Sequence, residues 1–293
     1  ITNKVIFSAT NVADLTTIQI NDVATGETEV VNLGAADITL SQIGATKTGA
    51  DVTLDNSGNV NVDLTASKAG AIKGAANTGA AYAGAEAQVN DITLSNAGSV
   101  TVNVGDYVSY TGSTNGIVAA KATDVTLNVN SSKNAATTPT QQSQFNSILD
   151  VAKATSVTIN SQGDTTLATG SNLDAAQTVS IVAGGTVELD TTGVGVTLNA
   201  AANVTLTGEE KLSSVKLDTV GTATTDYDVT VNATGLKKGL TVGDIKSAQG
   251  ATVNLTGTTG NVVLGTIDAA NVTLNAANLA GILSNTITDT TTA

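Results

Sequence analysis

The segment "GVTLNAAANVTLTGEEKLSSVKLDT" (195–219) states one short phrase three times, as V-T-L-N, V-T-L-T and V-K-L-D, opened by Val196, Val204 and Val215. Extended chain places alternate side chains on opposite faces, so Val and Leu share one side and Thr and Asn the other. The phrase recurs from end to end, as "DITL" (37–40), "DVTL" (51–54), "SVTVNV" (99–104), "DVTLNV" (124–129), "SVTIN" (156–160), "TVELD" (186–190) and "NVTLNA" (271–276). Each copy is only two or three apolar residues deep. Copies often stand eight to ten residues apart, and Gly, Asn, Asp and Ala, which tolerate tight bends, fill the gaps.

Such a chain must bury many narrow stripes rather than one broad face. It also lacks the usual fillers: Trp, Met and Cys are absent, and there are two Phe and four Tyr. A buried aromatic covers about 150–250 Å², so this interior has to be made of Val, Leu, Ile and Ala. A coil of short parallel strands meets both constraints, because each coil stacks on the one before and the core is a thin column. The expected fold is therefore all-β, a parallel β-solenoid (a β-helix or a flatter β-roll), forming one elongated domain over residues 1–293. At about 20 residues per coil it would make roughly fourteen coils, about 70 Å long. The alternative is a tandem array of immunoglobulin-like sandwiches, which also place strands every eight to twelve residues. Those sandwiches bury a Trp or Tyr between their sheets, and this chain has few to offer.

Insertions are expected near 65–90 and 131–155. The first, "TASKAGAIKGAANTGAAYAGAEAQVN", is rich in Ala and Gly and reads as a loop or a weak helix. The second contains the strongest helix pattern, "TTPTQQSQFNSILDVAKATS" (137–156). Thr138 can cap it, Pro139 suits the first helical position and Gln141 stands three residues after the cap. Phe145, Ile148, Leu149 and Ala152 then form an apolar stripe at three- and four-residue steps. The segment "TGLKKGLTVGDIKSAQG" (234–250) is a second candidate for a short helix.

The formal charge is −13, and all twelve basic residues are scattered Lys. Phosphate contacts need clustered Lys and Arg, so a nucleic-acid partner is not expected. No apolar run reaches the roughly 18 residues of a membrane span. The missing Cys fits an exported protein, and without an initiating Met residue 1 is expected to be a processing boundary within a longer protein.

Without His or Cys, the familiar nucleophile–base pairs cannot be assembled. Ser132 and Lys133 in "SSK" (131–133) sit in a polar stretch that reads as a solvated loop. A polysaccharide-cleaving β-helix would need two carboxylates about 5–9.5 Å apart, and such grooves rely on aromatic platforms and Arg that are scarce or absent here. Calcium is the cofactor to consider. The calcium β-roll repeat is G-G-x-G-x-D-x-U-x. Its nearest approach, "GGTVELDTT" (184–192), has Val187 in place of the third Gly and Asp190 one place late. "TTDYDVT" (224–230) adds Asp226 and Asp228 as hard oxygen ligands. The candidate metal residues are thus Asp190, Asp226 and Asp228. Thr53, Thr93, Thr126, Thr197, Thr205 and Thr273 each lie between two inward residues. Regular Thr ladders can bind ice, but Asn, Asp, Lys or Glu often take the neighbouring outward places here.

The Thr/Ala/Asn/Gly/Val-rich, acidic, Cys- and His-free chain with its repeated "DVTL", "NVTLNA" and "TVELDTTG" resembles the repetitive body of a bacterial surface-layer (S-layer) protein. The group it is similar to is the Gram-negative one secreted without a cleaved signal, as in Campylobacter and Caulobacter. Members often carry tandem calcium β-roll motifs, which this chain lacks. The resemblance implies an extracellular structural protein, not an enzyme, whose copies associate side by side in a lattice. It also implies attachment to cell-surface polysaccharide through a segment outside this sequence. An adhesin stalk is the alternative, with a recognition patch around Tyr107 and Tyr110.

Overall fold

The computed structural model describes residues 5–8, 17–21, 28–31, 37–43, 52–54, 58–64, 85–86, 91–105, 108–110, 115–130, 143–189, 196–224 and 226–288. Every strand pairing among them is parallel. Hairpins and sandwiches are built from antiparallel neighbours, so the tandem-sandwich alternative is overturned and the β-solenoid stands.

The coil presents three faces. The first stacks the strands Thr17–Asn21, Asp37–Ile43, Val60–Leu64, Ser99–Val104, Asp124–Val129, Ser156–Ser161, Thr178–Ala183, Asn203–Gly208 and Val229–Thr234. The C-terminal halves of Ile245–Thr256 and Asn261–Ala277 complete it. The second face runs from Ala85–Glu86, Val108–Tyr110 and Gln144–Ser147 to the start of Leu283–Thr288. The third begins with Val5–Ser8 and Thr28–Val31 and ends with the bridged positions Leu198, Val220, Ile245, Ile267 and Ile287.

Registers are in phase, so like residues stand over like. On the first face Val100, Val125, Val157, Val179, Val204, Val231 and Val253 form one inward column. Each is buried, at 2% exposure or less. The second face carries the column Tyr110, Phe145, Thr165, Val187, Val215, Leu240, Val262. Its first two rings lie 5.5 Å apart at 33°, within the range of favourable aromatic pairs. Thr165 is polar within that column, and its hydroxyl donates to Ser161 Oγ at 2.8 Å. Gly184 and Gly185 turn the chain from Thr178–Ala183 into Thr186–Glu188. A Cβ on Gly185 would run into the Gly163 carbonyl of the preceding coil, so the glycine pair serves the corner.

Two expectations need correction. Both expected helices are strands: 144–147 and 149–150 in the first, 239–242 and the start of Ile245–Thr256 in the second. Between 143 and 151 burial alternates strictly, with Phe145, Ser147, Leu149 and Val151 inward. Ser147 fills an inward place and hides the two-residue period, while the half-exposed Ile148 mimics a helical stripe. Neighbouring strands on both sides, through Ser109↔Gln144 and Gln144↔Asp164, fix the extended register. Coils are also longer, and therefore fewer, than a uniform 20-residue repeat gives. The step is 21 or 22 residues near the C-terminus but 25 and then 32 from Asn103 through Asn128 to Asn160. The insertion at 65–90 lies outside the described residues apart from the strand Ala85–Glu86.

Candidate functional site

The aspartates that open many strand phrases sit at coil corners, where a backbone N–H of the next coil needs an acceptor. Asp37 Oδ1 accepts from Asn59 N–H at 2.9 Å, and Asp164 Oδ1 from Thr186 N–H at 2.9 Å. Asp91 Oδ1 accepts from the N–H groups of both Asn115 and Gly116 at 3.0 Å. Asp244 Oδ1 accepts from Thr266 N–H at 3.1 Å, while its other oxygen pairs with Lys246 Nζ at 2.9 Å. The Lys246 hydrogen bond, assisted by the Thr266 N–H, holds the Asp244 carboxyl below its usual range despite partial burial, which acts the other way. These carboxylates clip one coil to the next.

Of the expected metal residues, Asp226 and Asp228 are both exposed, in the connection before Val229–Thr234, and Asp190 lies outside the described residues. No group of three or more His, Cys, Asp or Glu side chains that could hold a metal ion occurs among the described residues. Ser132 and Lys133 also lie outside them.

The recognition patch imagined around Tyr107 and Tyr110 is not built as expected. Tyr110 is fully buried against Phe145, and Tyr107 lies outside the described residues. Tyr227 is on the surface, and its hydroxyl donates to the Ala200 carbonyl.

What the structure does build is a flat outward surface on the first face. Its central column runs Thr101, Thr126, Thr158, Ser180, Thr205, Asn232, Asn254, Asn275. It is flanked by Ser156, Thr178, Asn203, Thr230, Thr252 and Thr273 on one side. On the other side stand Asn103, Asn128, Asn160, Val182, Thr207, Thr234 and Thr256. From Ser156 onward no outward position on this face is charged, in a chain of formal charge −13.

Carboxamide ladders lock this surface. Asn103 Nδ2 donates to Asn61 Oδ1 at 2.9 Å and to Asp63 Oδ1 at 2.7 Å; Asn128 donates to Asn103 at 2.8 Å and Asn160 to Asn128 at 2.9 Å. A second ladder runs from Asn275 to Asn254 at 2.7 Å and from Asn254 to Asn232 at 2.8 Å. Sequence reading missed both, although Asn takes the same place in "SVTVN", "DVTLN" and "SVTIN". Stacked amides hydrogen-bond along an axis whenever identical positions repeat at strand spacing. The threonines that lie between inward residues are divided between faces. Thr53 pairs with Thr93 on the third, while Thr126 and Thr205 share the first-face central column and Thr273 stands in the column beside it.

No protein-family model matches the chain, and searches of curated proteins and of solved structures find no match either. No helix among the described residues is long and apolar enough to cross a membrane.

Proposed function

We propose that this chain is a structural protein of a bacterial cell surface, an S-layer component whose copies pack side by side into a two-dimensional lattice. The observation carrying this reading is the outward surface of the first face, which is uncharged from Ser156 onward. Elsewhere the acidic chain repels its copies, but there small hydroxyl and amide groups allow close approach without desolvating charge. The amide ladders hold these groups in place, so little side-chain entropy is lost when two such faces meet. The resemblance of the strand phrases to S-layer bodies points the same way. In this reading the protein acts outside the cell, by covering it rather than by catalysis, with attachment to surface polysaccharide made elsewhere.

Electron microscopy of the purified protein, with and without millimolar calcium, tests the proposal. Ordered sheets are expected, and Thr158→Lys with Thr205→Lys should abolish them by placing charge on the packing face. Isolated particles under every condition would rule the lattice out.

A further inference from the structure

The first face has unlike rims at the coil that carries Val229–Thr234. Where the chain enters that strand stand Asp226 and Asp228, both exposed. Asp228 comes two places before the outward Thr230, and its carboxylate lies over the next coil, since a Cβ on Gly250 would meet Asp228 Oδ1 at 2.7 Å. Where the chain leaves the strand stand Lys237 and Lys238, exposed as well. Their backbone is fixed to the preceding coil. The Lys238 N–H donates to the Ser213 carbonyl at 2.9 Å, and the Lys237 N–H donates to Ser213 Oγ at 3.1 Å.

One coil thus holds two carboxylates at one rim and two ammonium groups at the other. Between them runs a strand of six residues, about 20 Å long. In the coil before, the exit rim carries Glu209, Glu210 and Lys211, while 200–202 at its entry rim are uncharged.

Two such faces can meet in two ways that use the same surface twice. Turning the second copy about an axis along the strands sets the Asp side against the Asp side and runs the two coils in opposite directions. Turning it about an axis along the coil runs them the same way. Asp226 and Asp228 then stand opposite Lys237 and Lys238 of the second copy at the same level, twice by symmetry. Opposite charges select this arrangement, because like charges set face to face repel. Six strands, stacked about 4.8 Å apart and about 20 Å long, give an uncharged middle of about 600 Å² on each copy, or about 1,200 Å² in all. That is the lower end for a specific contact, so the charged rims decide how the faces meet.

We propose that the first face binds a second copy of this chain about a two-fold axis parallel to the coil, with Asp226 and Asp228 of each copy paired with Lys237 and Lys238 of the other. The inference rests on the lattice reading for its setting and deepens it by fixing the neighbour's orientation. A two-fold contact closes on itself, so the layer is built from parallel pairs.

The chain has no cysteine, so single introduced thiols report the orientation. In the proposed pair each residue of the central column faces its own counterpart at every level. Thr158 and Asn254 stand four coils apart in that column. Thr158→Cys and Asn254→Cys should therefore each cross-link to themselves through a short bis-maleimide, across sheets packed about 10 Å apart. In an antiparallel pair, at most one of the two would do so. Lys237→Glu with Lys238→Glu, added to either thiol variant, should abolish the cross-link, and so should Asp226→Lys with Asp228→Lys. Mixing the two charge-reversed proteins should restore it, because one then has two acidic rims and the other two basic rims. Unchanged circular dichroism spectra would show that the coils persist. Sheets in which only one thiol variant, or neither, cross-links to itself would overturn the parallel pair and leave the lattice reading standing, as would a mixture that restores nothing. Cross-linked pairs that never form sheets would uphold the pair and rule out the lattice, and the absence of both would overturn both.

Discussion

The middle and the last coil of this solenoid are made from nearly the same phrases, yet they differ in what holds them. "SVTIN" (156–160) lies between two neighbours that complete its backbone pairing and cover its Val and Ile. "NVTLNA" (271–276) has one such neighbour, and its Val272 and Leu274 are only partly covered. Burial in a solenoid is therefore a property of position in the stack rather than of the strand, since each coil supplies half of the next coil's core. Nearly the same four residues make a sealed layer in one place and a half-covered one in another.

The largest effect should appear where an interior coil is widest. Phe145 is fully buried and stacked on Tyr110. Phe145→Ala leaves a cavity that no small-residue coil can refill and should cost about 3–5 kcal/mol in urea unfolding. A loss below about 1 kcal/mol would mean that the coils can collapse onto each other, which would break the contrast between the two regions.

A closer comparison sets aliphatic against aliphatic. Ile181→Ala, in a sealed column, should cost about 2–5 kcal/mol. Leu274→Ala in the last coil should cost about 1 kcal/mol or less in dilute protein, because much of that side chain is already in water. Equal penalties would show that the last coil is sealed.

The amide ladders sharpen the comparison further. Asn254 donates to Asn232 and accepts from Asn275, whereas among the described residues Asn275 is joined to Asn254 alone. At about 0.5–1.5 kcal/mol net for each hydrogen bond, Asn254→Ala should destabilise by roughly twice as much as Asn275→Ala. Thermal unfolding of the two variants side by side reads that ratio, and a ratio near one would mean that the ladder is not shared along the column.

Most of the architecture was legible in the sequence because the period of V-T-L-N is fixed by strand geometry, and because the missing aromatics left only a thin core to build. Where an inward place is polar, the signal fails. Ser147 interrupts the apolar alternation and let Phe145, Ile148 and Leu149 pass for a helical stripe. In 234–250, Gly, Lys and Ala conceal inward positions that neighbouring coils nevertheless hold extended. The candidate surface was harder to see. Each Asn or Thr looks ordinary within its own strand, and only the register between coils, set by coil lengths from 20 to 40 residues, stacks them into ladders. The burial of Tyr110 was hidden for the same reason: its partner Phe145 is 35 residues away, across a coil boundary.

The smallest effect concerns the corner clips. Lys246 and the Thr266 N–H stabilise the charged form of Asp244, so its carboxyl titrates lower in the folded chain than in the unfolded one. The clip therefore contributes fully above the unfolded value, near 3.8, and its contribution disappears as pH falls through the lower, folded value. The pair is about a third exposed, so water and salt screen it and the effect is small. Asp244→Asn should lower the melting temperature slightly at pH 7 and leave it unchanged at pH 2. Lys246→Gln should show the same convergence in acid, as its partner becomes protonated. A deficit for Asp244→Asn that persists unchanged at pH 2 would assign the clip to the Thr266 hydrogen bond and corner packing rather than to charge. The corners would then resemble the uncharged interior of the stack, held by geometry alone.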